Sequence, residues 1–185
     1  LSNYAIYSAM FVYTIAFFSH AVEVAFSVRH AEDSTKFDFA KTDKAGRIGT
    51  AMMILGQILL TSGVLLRGLS AHRAPWGNMY EFSITGAMAF AGAYLFALIK
   101  YRLRWLGLPV STAVLLTLGT AVAVLYRPSA PLVPALKSTW LIIHVSAAIV
   151  SGGVFLLANT IAATYLILDR MESRGCRNEW AKKLP

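Results

Sequence analysis

One cysteine, Cys176, stands among 185 residues, so this chain by itself forms neither an intrachain disulfide nor a cluster of thiolate ligands. No CxxCH motif occurs, and the chain is therefore not itself a c-type cytochrome. Charge is scarce as well. Asp, Glu, Lys and Arg make up 14% of the residues, against 57% hydrophobic, where a soluble domain carries about a quarter charged residues. With a mean hydropathy of +0.58, that scarcity points to a membrane protein and away from a water-soluble globule. Acids are the scarcest, nine against 17 Lys and Arg, which leaves a net charge of +8. The excess does not indicate nucleic acid, because the bases fall in the gaps between apolar runs and not along one amphipathic face. Internal repeats and low-complexity segments are lacking too. The first apolar run has no basic n-region and no AxA-type cleavage site, and it is too long for a signal peptide.

What is present is a series of apolar runs. A bilayer core takes roughly 20 residues of apolar helix, and five stretches qualify: Tyr4–Val28, Ile48–Leu66, Phe82–Ile99, Trp105–Leu125 and Trp140–Leu168. The expected fold is all-α, a polytopic transmembrane helical bundle of about five spans forming a single domain over residues 1–185. The third run is short and contains glycine, which predicts a tilted or partly re-entrant span. The fifth is long enough to tilt or to project from the membrane. Small residues inside the runs, as in Ser151-Gly152-Gly153 and Ala87…Ala91, permit close helix packing. A Leu at position 1 and the ending Lys182-Lys183-Leu184-Pro185 suggest a portion of something longer.

Lys and Arg orient the bundle. Arg29, Lys36, Lys41, Lys44 and Arg47 follow the first run, Lys100, Arg102 and Arg104 the third, and Arg170, Arg174, Arg177, Lys182 and Lys183 the fifth. The alternate loops hold only Arg67 with Arg73, and Arg127 with Lys137. The positive-inside rule then predicts a cytoplasmic C-terminal tail and an external N-terminus. The stretch PWGNMYEFS (Pro75–Ser83) and the loop leading to Trp140 would both face outward.

Ionisable groups within spans are costly and often mark function. His144 lies four residues inside the fifth run, about 6 Å below Trp140 at ~1.5 Å rise per residue and on the same helix face. Its imidazole is either an available metal ligand beside a flat indole wall, or an interfacial histidine bonded to a neighbouring helix. His20 and Glu23, i and i+3 in the first run, form a candidate intramembrane pair, either functional or fixing that helix. His72 and His30 are expected in loops. Glu81 suits the N-terminus of the third helix, and Trp76 and Tyr80 suit an interfacial aromatic belt.

Two segments together carry a resemblance. PWGNMYEFS resembles the P-x-x-N-x-Y-E-S/F signature of the ResC/CcsA-type haem-handling proteins of system II cytochrome c biogenesis. LKSTWLIIHVSAAIVSGGVF (Leu136–Phe155) resembles the segment of that family in which a Trp-Leu-x-x-His-Val run opens a transmembrane helix. The similarity extends over about Ile48–Leu168. It implies a protein that receives haem b as a substrate, holds it at the outer membrane face, and supports its covalent attachment to the CxxCH thiols of an apocytochrome c. His144 matches one of the family's external histidines, an axial ligand to the haem iron. Trp140, Trp76, Asn78, Tyr80 and Glu81 are the implied haem-contacting residues. A ResB/Ccs1-type membrane protein is the implied partner. The family's tryptophan-rich WGxxWxWD loop is missing, since Trp76, Trp105, Trp140 and Trp180 are widely separated, and two later histidines have no counterpart. The 185 residues are thus expected to be an N-terminal part, not catalytic alone, of a haem-lyase system. The alternative reading is a non-catalytic subunit of a respiratory assembly, or a small-molecule or ion transporter using His20 and Glu23.

Overall fold

A computed structural model describes residues 1–32, 39–101, 103–128 and 138–173. Cys176, Trp180, Lys36, Arg102, Lys137 and the basic residues from Arg174 onward lie outside the described residues, as do the side chains of Arg29, His30 and Lys41. Among the described residues five long helices follow one another: α1 (Ser2–Glu32), α2 (Phe39–Ser70), α3 (Met79–Lys100), α4 (Gly107–Ala123) and α5 (Thr139–Ser173). A short 3₁₀ turn, Arg104–Leu106, leads into α4. All five spans are long and apolar enough to cross a membrane. The third run, expected to be short, is one unbroken helix of 22 residues, about 33 Å long at ~1.5 Å per residue, which suffices to span without re-entry.

The helices alternate in direction. Ser2 and Asn3 of α1 meet Gly63 and Arg67 near the end of α2, and Asn3 also meets Tyr126 just past α4. These residues, with the loop before α3, define one end of the bundle, here the Trp76 end. At the opposite end, Glu23 of α1 meets Arg104, and Arg104 meets Asp43 of α2. That is the Arg104 end.

The α1–α2 contact follows from a heptad spacing in the sequence. Ile6, Tyr13 and His20 recur every seven residues on α1, and Gly63, Gly56 and Gly49 recur every seven residues, in the reverse direction, on α2. Each large side chain lies over one glycine. A Cβ at Gly63 would meet Ile6 Cγ1 at 2.8 Å, one at Gly56 the Tyr13 ring at 3.1 Å, and one at Gly49 the His20 ring at 2.8 Å. Ala9 and Ala16 fill the intervening buried positions of α1, and Met53 and Leu60 those of α2. A 3.5-residue repeat is that of left-handed helix packing, and small residues at the seam let backbones approach where lipid supplies no hydrophobic drive.

Midway through, the Tyr13 hydroxyl donates to Gln57 Oε1 (3.0 Å) and Gln57 Nε2 donates to the Met88 carbonyl (3.0 Å). This thread ties α1, α2 and α3 with every participating group satisfied, as an apolar environment demands. Helix α5 joins differently. It packs chiefly on α3, where a Cβ at Gly153 would meet the backbone of Ala89 at 2.8 Å. Most of its other faces are exposed.

Candidate functional site

The segment between α2 and α3 is built from its turn chemistry upward. Helix α2 ends with His72 in the left-handed region (φ 49°). The Arg73 N–H donates to the Gly68 carbonyl and the His72 N–H to the Leu69 carbonyl, both at 3.2 Å. This is the paired closure that commonly ends helices, with His72 in the place usually given to glycine. His72 is therefore a backbone turn residue with an exposed ring. Three residues on, Pro75 and Gly77 bring the chain back. Asn78, extended at φ −146°, caps α3 by accepting the Glu81 N–H on its Oδ1 at 2.8 Å. A side-chain oxygen at this position satisfies a helix N–H that otherwise lacks a partner.

Glu81 is fully buried, and its carboxylate holds this end of the bundle together. Oε1 accepts from Arg67 Nε (3.1 Å) and Arg73 Nη2 (3.2 Å), and Oε2 accepts from Arg73 Nη1 (2.6 Å) and the Gly77 N–H (2.8 Å). Buried charge is tolerated when paired and bonded in this way. A Cβ at Gly77 would lie 2.2 Å from Arg73 Nη1, so a larger residue there would have to displace that guanidinium from Glu81. Arg67 also stacks over the Tyr80 ring at 4.6 Å and donates to the Arg127 carbonyl. Tyr80 in turn meets Tyr126 edge-on, ring centroids 5.3 Å apart. Thr85 closes the loop from below by donating to the Pro75 carbonyl (2.9 Å).

Asn78, Tyr80 and Glu81 thus come together with two arginines that the motif itself does not contain. Arg67 and Arg73 were legible only as loop bases. Their pairing with Glu81 joins the end of α2 to the start of α3, 14 and eight residues apart. Trp76 is half-buried in the same loop, and Met79 is exposed beside it.

His144 and Trp140 lie elsewhere. Helix α5 runs parallel to α3, since Gly153 meets Ala89 midway while Thr164 and Ile167 share a groove with Trp105 and Leu108 at the Arg104 end. Counting about nine residues back along both helices brings His144 level with Tyr80 and Glu81. The ring, however, points away from α3. Ile149, Gly153 and Leu157, the buried positions of α5, lie about 140°, 180° and 220° around the helix from His144 at ~100° per residue. His144 is exposed, and Trp140, one turn earlier on the same side, is 79% exposed. The structure therefore places two groups at one level on adjoining helices and does not bring them into contact.

At the Arg104 end, His20 Nδ1 lies 3.2 Å from Glu23 Oε2, and Arg104 Nε donates to Glu23 Oε1 at 2.9 Å. Arg104 Nη1 is also 2.9 Å from Asp43 Oδ1. His20 is 1% exposed, its ring held between Gly49 and Gly107, where a Cβ would come within 2.8 and 2.5 Å respectively. The ring is thus packed against the backbones of two helices, α2 and α4. Among the described residues no group of three or more His, Cys, Asp or Glu is placed to hold a metal ion.

Residues 76–184 match the family model described as cytochrome C assembly protein, an interval that includes Trp76, Asn78, Tyr80, Glu81, Trp140 and His144. The chain is 35% identical over 136 residues to the cytochrome c biogenesis protein CcsA of Picosynechococcus sp. (strain ATCC 27264 / PCC 7002 / PR-6), covering 69% of this chain and 40% of that protein. It is 32% identical over 131 residues to CcsA of Marchantia polymorpha (69% and 41%). To CcsA of Synechococcus sp. (strain JA-3-3Ab) it is 29% identical over 135 residues (71% and 39%). The chain spans about two fifths of the length of these relatives. More than half of it fits the family model, and the fit takes in both the capped, arginine-clamped start of α3 and the histidine turn of α5: the chain belongs to the cytochrome c assembly protein family.

Proposed function

We propose that this chain forms the part of a cytochrome c biogenesis protein that holds haem at the outer membrane face, with His144 as an axial ligand to the iron. The observation that carries the reading is an exposed imidazole on a membrane helix, one turn below an exposed tryptophan, inside the interval matched by the family. A neutral imidazole ligates haem iron, and an indole offers the macrocycle a flat apolar face. Near the interface the propionates stay out of the hydrocarbon, where charge is expensive. In this orientation the Trp76 end is external and the α5 C-terminus cytoplasmic, in keeping with the distribution of Lys and Arg.

Asn78 and Glu81 act through structure in this reading. Asn78 Oδ1 is taken by the Glu81 N–H, and the Glu81 carboxylate by the two arginines and Gly77, so these groups hold Trp76 and Tyr80 in position. The second axial ligand comes from polypeptide outside these residues. A ResB/Ccs1-type membrane protein and an apocytochrome c complete the system. There each client thiol adds across a haem vinyl group, sulfur bonding to one vinyl carbon and hydrogen to the other, with no leaving group.

The test is His144→Ala in the complete polypeptide with its membrane partner, measuring haem content, Soret spectrum and maturation of a reporter cytochrome. Lower haem content or a shifted Soret band, partly restored by free imidazole, is the expected result. The helix itself persists, because alanine is the better helix former. Unchanged spectra together with unchanged maturation would remove His144 from the site.

A further inference from the structure

Among the described residues, the Trp76 end sets Arg67 and Arg73 against the single carboxylate of Glu81. Glu81 is the only acidic residue between Asp43 and Asp169 in the sequence, and it faces both Arg67 and Arg73. Arg67 is 4% exposed. Among the described residues Arg67 shares its one counter-ion with Arg73 where hydration is poor, a costly arrangement that a further anion at Arg67 would relieve.

Arg67 also has unused donor capacity. Its Nε is taken by Glu81 and its Nη2 by the Arg127 carbonyl. Nη1 has only Asn3 Oδ1, at 3.5 Å, the outer limit of a hydrogen bond. This side of Arg67 lines an open cleft of about 840 Å³ between the start of α1 and the ends of α2 and α4, walled by Tyr4, Tyr7, Tyr126, Asn3 and Ser70. Tyr4 and Tyr7 are exposed at its mouth. The volume suits a sizeable small-molecule ligand. Aromatic walls with a guanidinium at the back fit an amphiphile, its apolar body on the rings and its anionic head on Arg67.

We propose that this cleft binds the anionic head of an amphiphile, a phosphate or a carboxylate attached to an apolar body. It is a site separate from His144, on α1, α2 and α4 and not on α5. Two sources supply that chemistry at a membrane surface: an acidic phospholipid, and a porphyrin through its propionates.

The purified protein in neutral detergent would be titrated with phosphatidylglycerol, with phosphatidylcholine and with metal-free protoporphyrin, read by native mass spectrometry and by porphyrin fluorescence. Metal-free porphyrin needs no axial ligand, so His144→Ala leaves this binding unchanged and the outcome is distinguishable from that of the iron-ligand test. The expected result is a preference of about tenfold, ~1.4 kcal/mol, for an anionic probe over phosphatidylcholine. Arg67→Gln abolishes that preference. Ser70→Trp, which fills the cleft without touching the Glu81 cluster, weakens binding at unchanged thermal stability and guards against a folding defect in Arg67→Gln. Phosphatidylglycerol alone being retained identifies a lipid site, and competition by protoporphyrin identifies a propionate site. Equal retention of all three probes, or a preference that survives Ser70→Trp, overturns the proposal.

Discussion

At the scale of single residues, Glu81 has the largest expected effect on stability. Its removal takes from Arg67 and Arg73 the buried carboxylate they share, and breaking a buried pair from one side costs about 3–5 kcal/mol. Glu81→Ala is expected to lower the thermal midpoint in detergent sharply. Glu81→Gln should fall between, because an amide can still accept hydrogen bonds while losing the charge. Asn78→Ala removes only the cap, about 1 kcal/mol. If Asn78→Ala proved as damaging as Glu81→Ala, the carboxylate would not be the anchor of this end. The assignment of Glu81 to a helix start was readable from its place before an apolar run. Its two arginines were not, because nothing in local spacing tells which loop bases turn inward.

At the scale of elements, the glycines divide sharply by what faces them. A Cβ at Gly153 would meet the backbone of Ala89, which cannot rotate away, whereas one at the adjacent Gly152 meets nothing within 4 Å. Gly153→Ala is expected to cost about 1–3 kcal/mol as overpacking and to loosen α5 from α3. Gly152→Ala should be neutral or slightly stabilising, alanine being favoured in helices. Disulfide crosslinking between cysteines introduced on the α3 and α5 faces, compared in the two variants, checks the pair. Comparable crosslinking in both would mean the α3–α5 contact does not rest on Gly153. Gly56→Leu should similarly force Tyr13 out of its notch and break its bond to Gln57, separating α1 from α2.

At the scale of the whole molecule, five alternating helices put Ser138 and Tyr101 at opposite ends of the bundle. With Cys176 first replaced by Ser, a cysteine at Ser138 is expected to react with an impermeant thiol reagent in intact cells, and one at Tyr101 only after permeabilisation. The opposite pattern would turn the bundle over and place His144 on the cytoplasmic side. Whichever side it faces, α5 contributes little to holding α1 to α4 together. Helices α1, α2 and α3 share the Tyr13–Gln57 thread, and α4 is tied in through Arg104 before it and Tyr126 and Arg127 after it, while α5 packs chiefly on α3.

The number of spans, their order and the all-helical class follow from the sequence alone, because hydrocarbon leaves a backbone of this composition no other satisfied form. The helix start at Asn78, the turn at Pro75 and the glycine heptad of α2 are equally local, though the heptad gains meaning only when Ile6, Tyr13 and His20 are laid against it in reverse. Tertiary structure alone decided which charges meet. Arg67 reaches Glu81 and Arg104 reaches Glu23 across 14 and 81 residues, and such encounters depend on how whole helices pack. It also decided that His144 turns from α3 while standing level with Glu81, since a helix has one angular setting in the bundle and the buried line of Ile149, Gly153 and Leu157 sets it for α5.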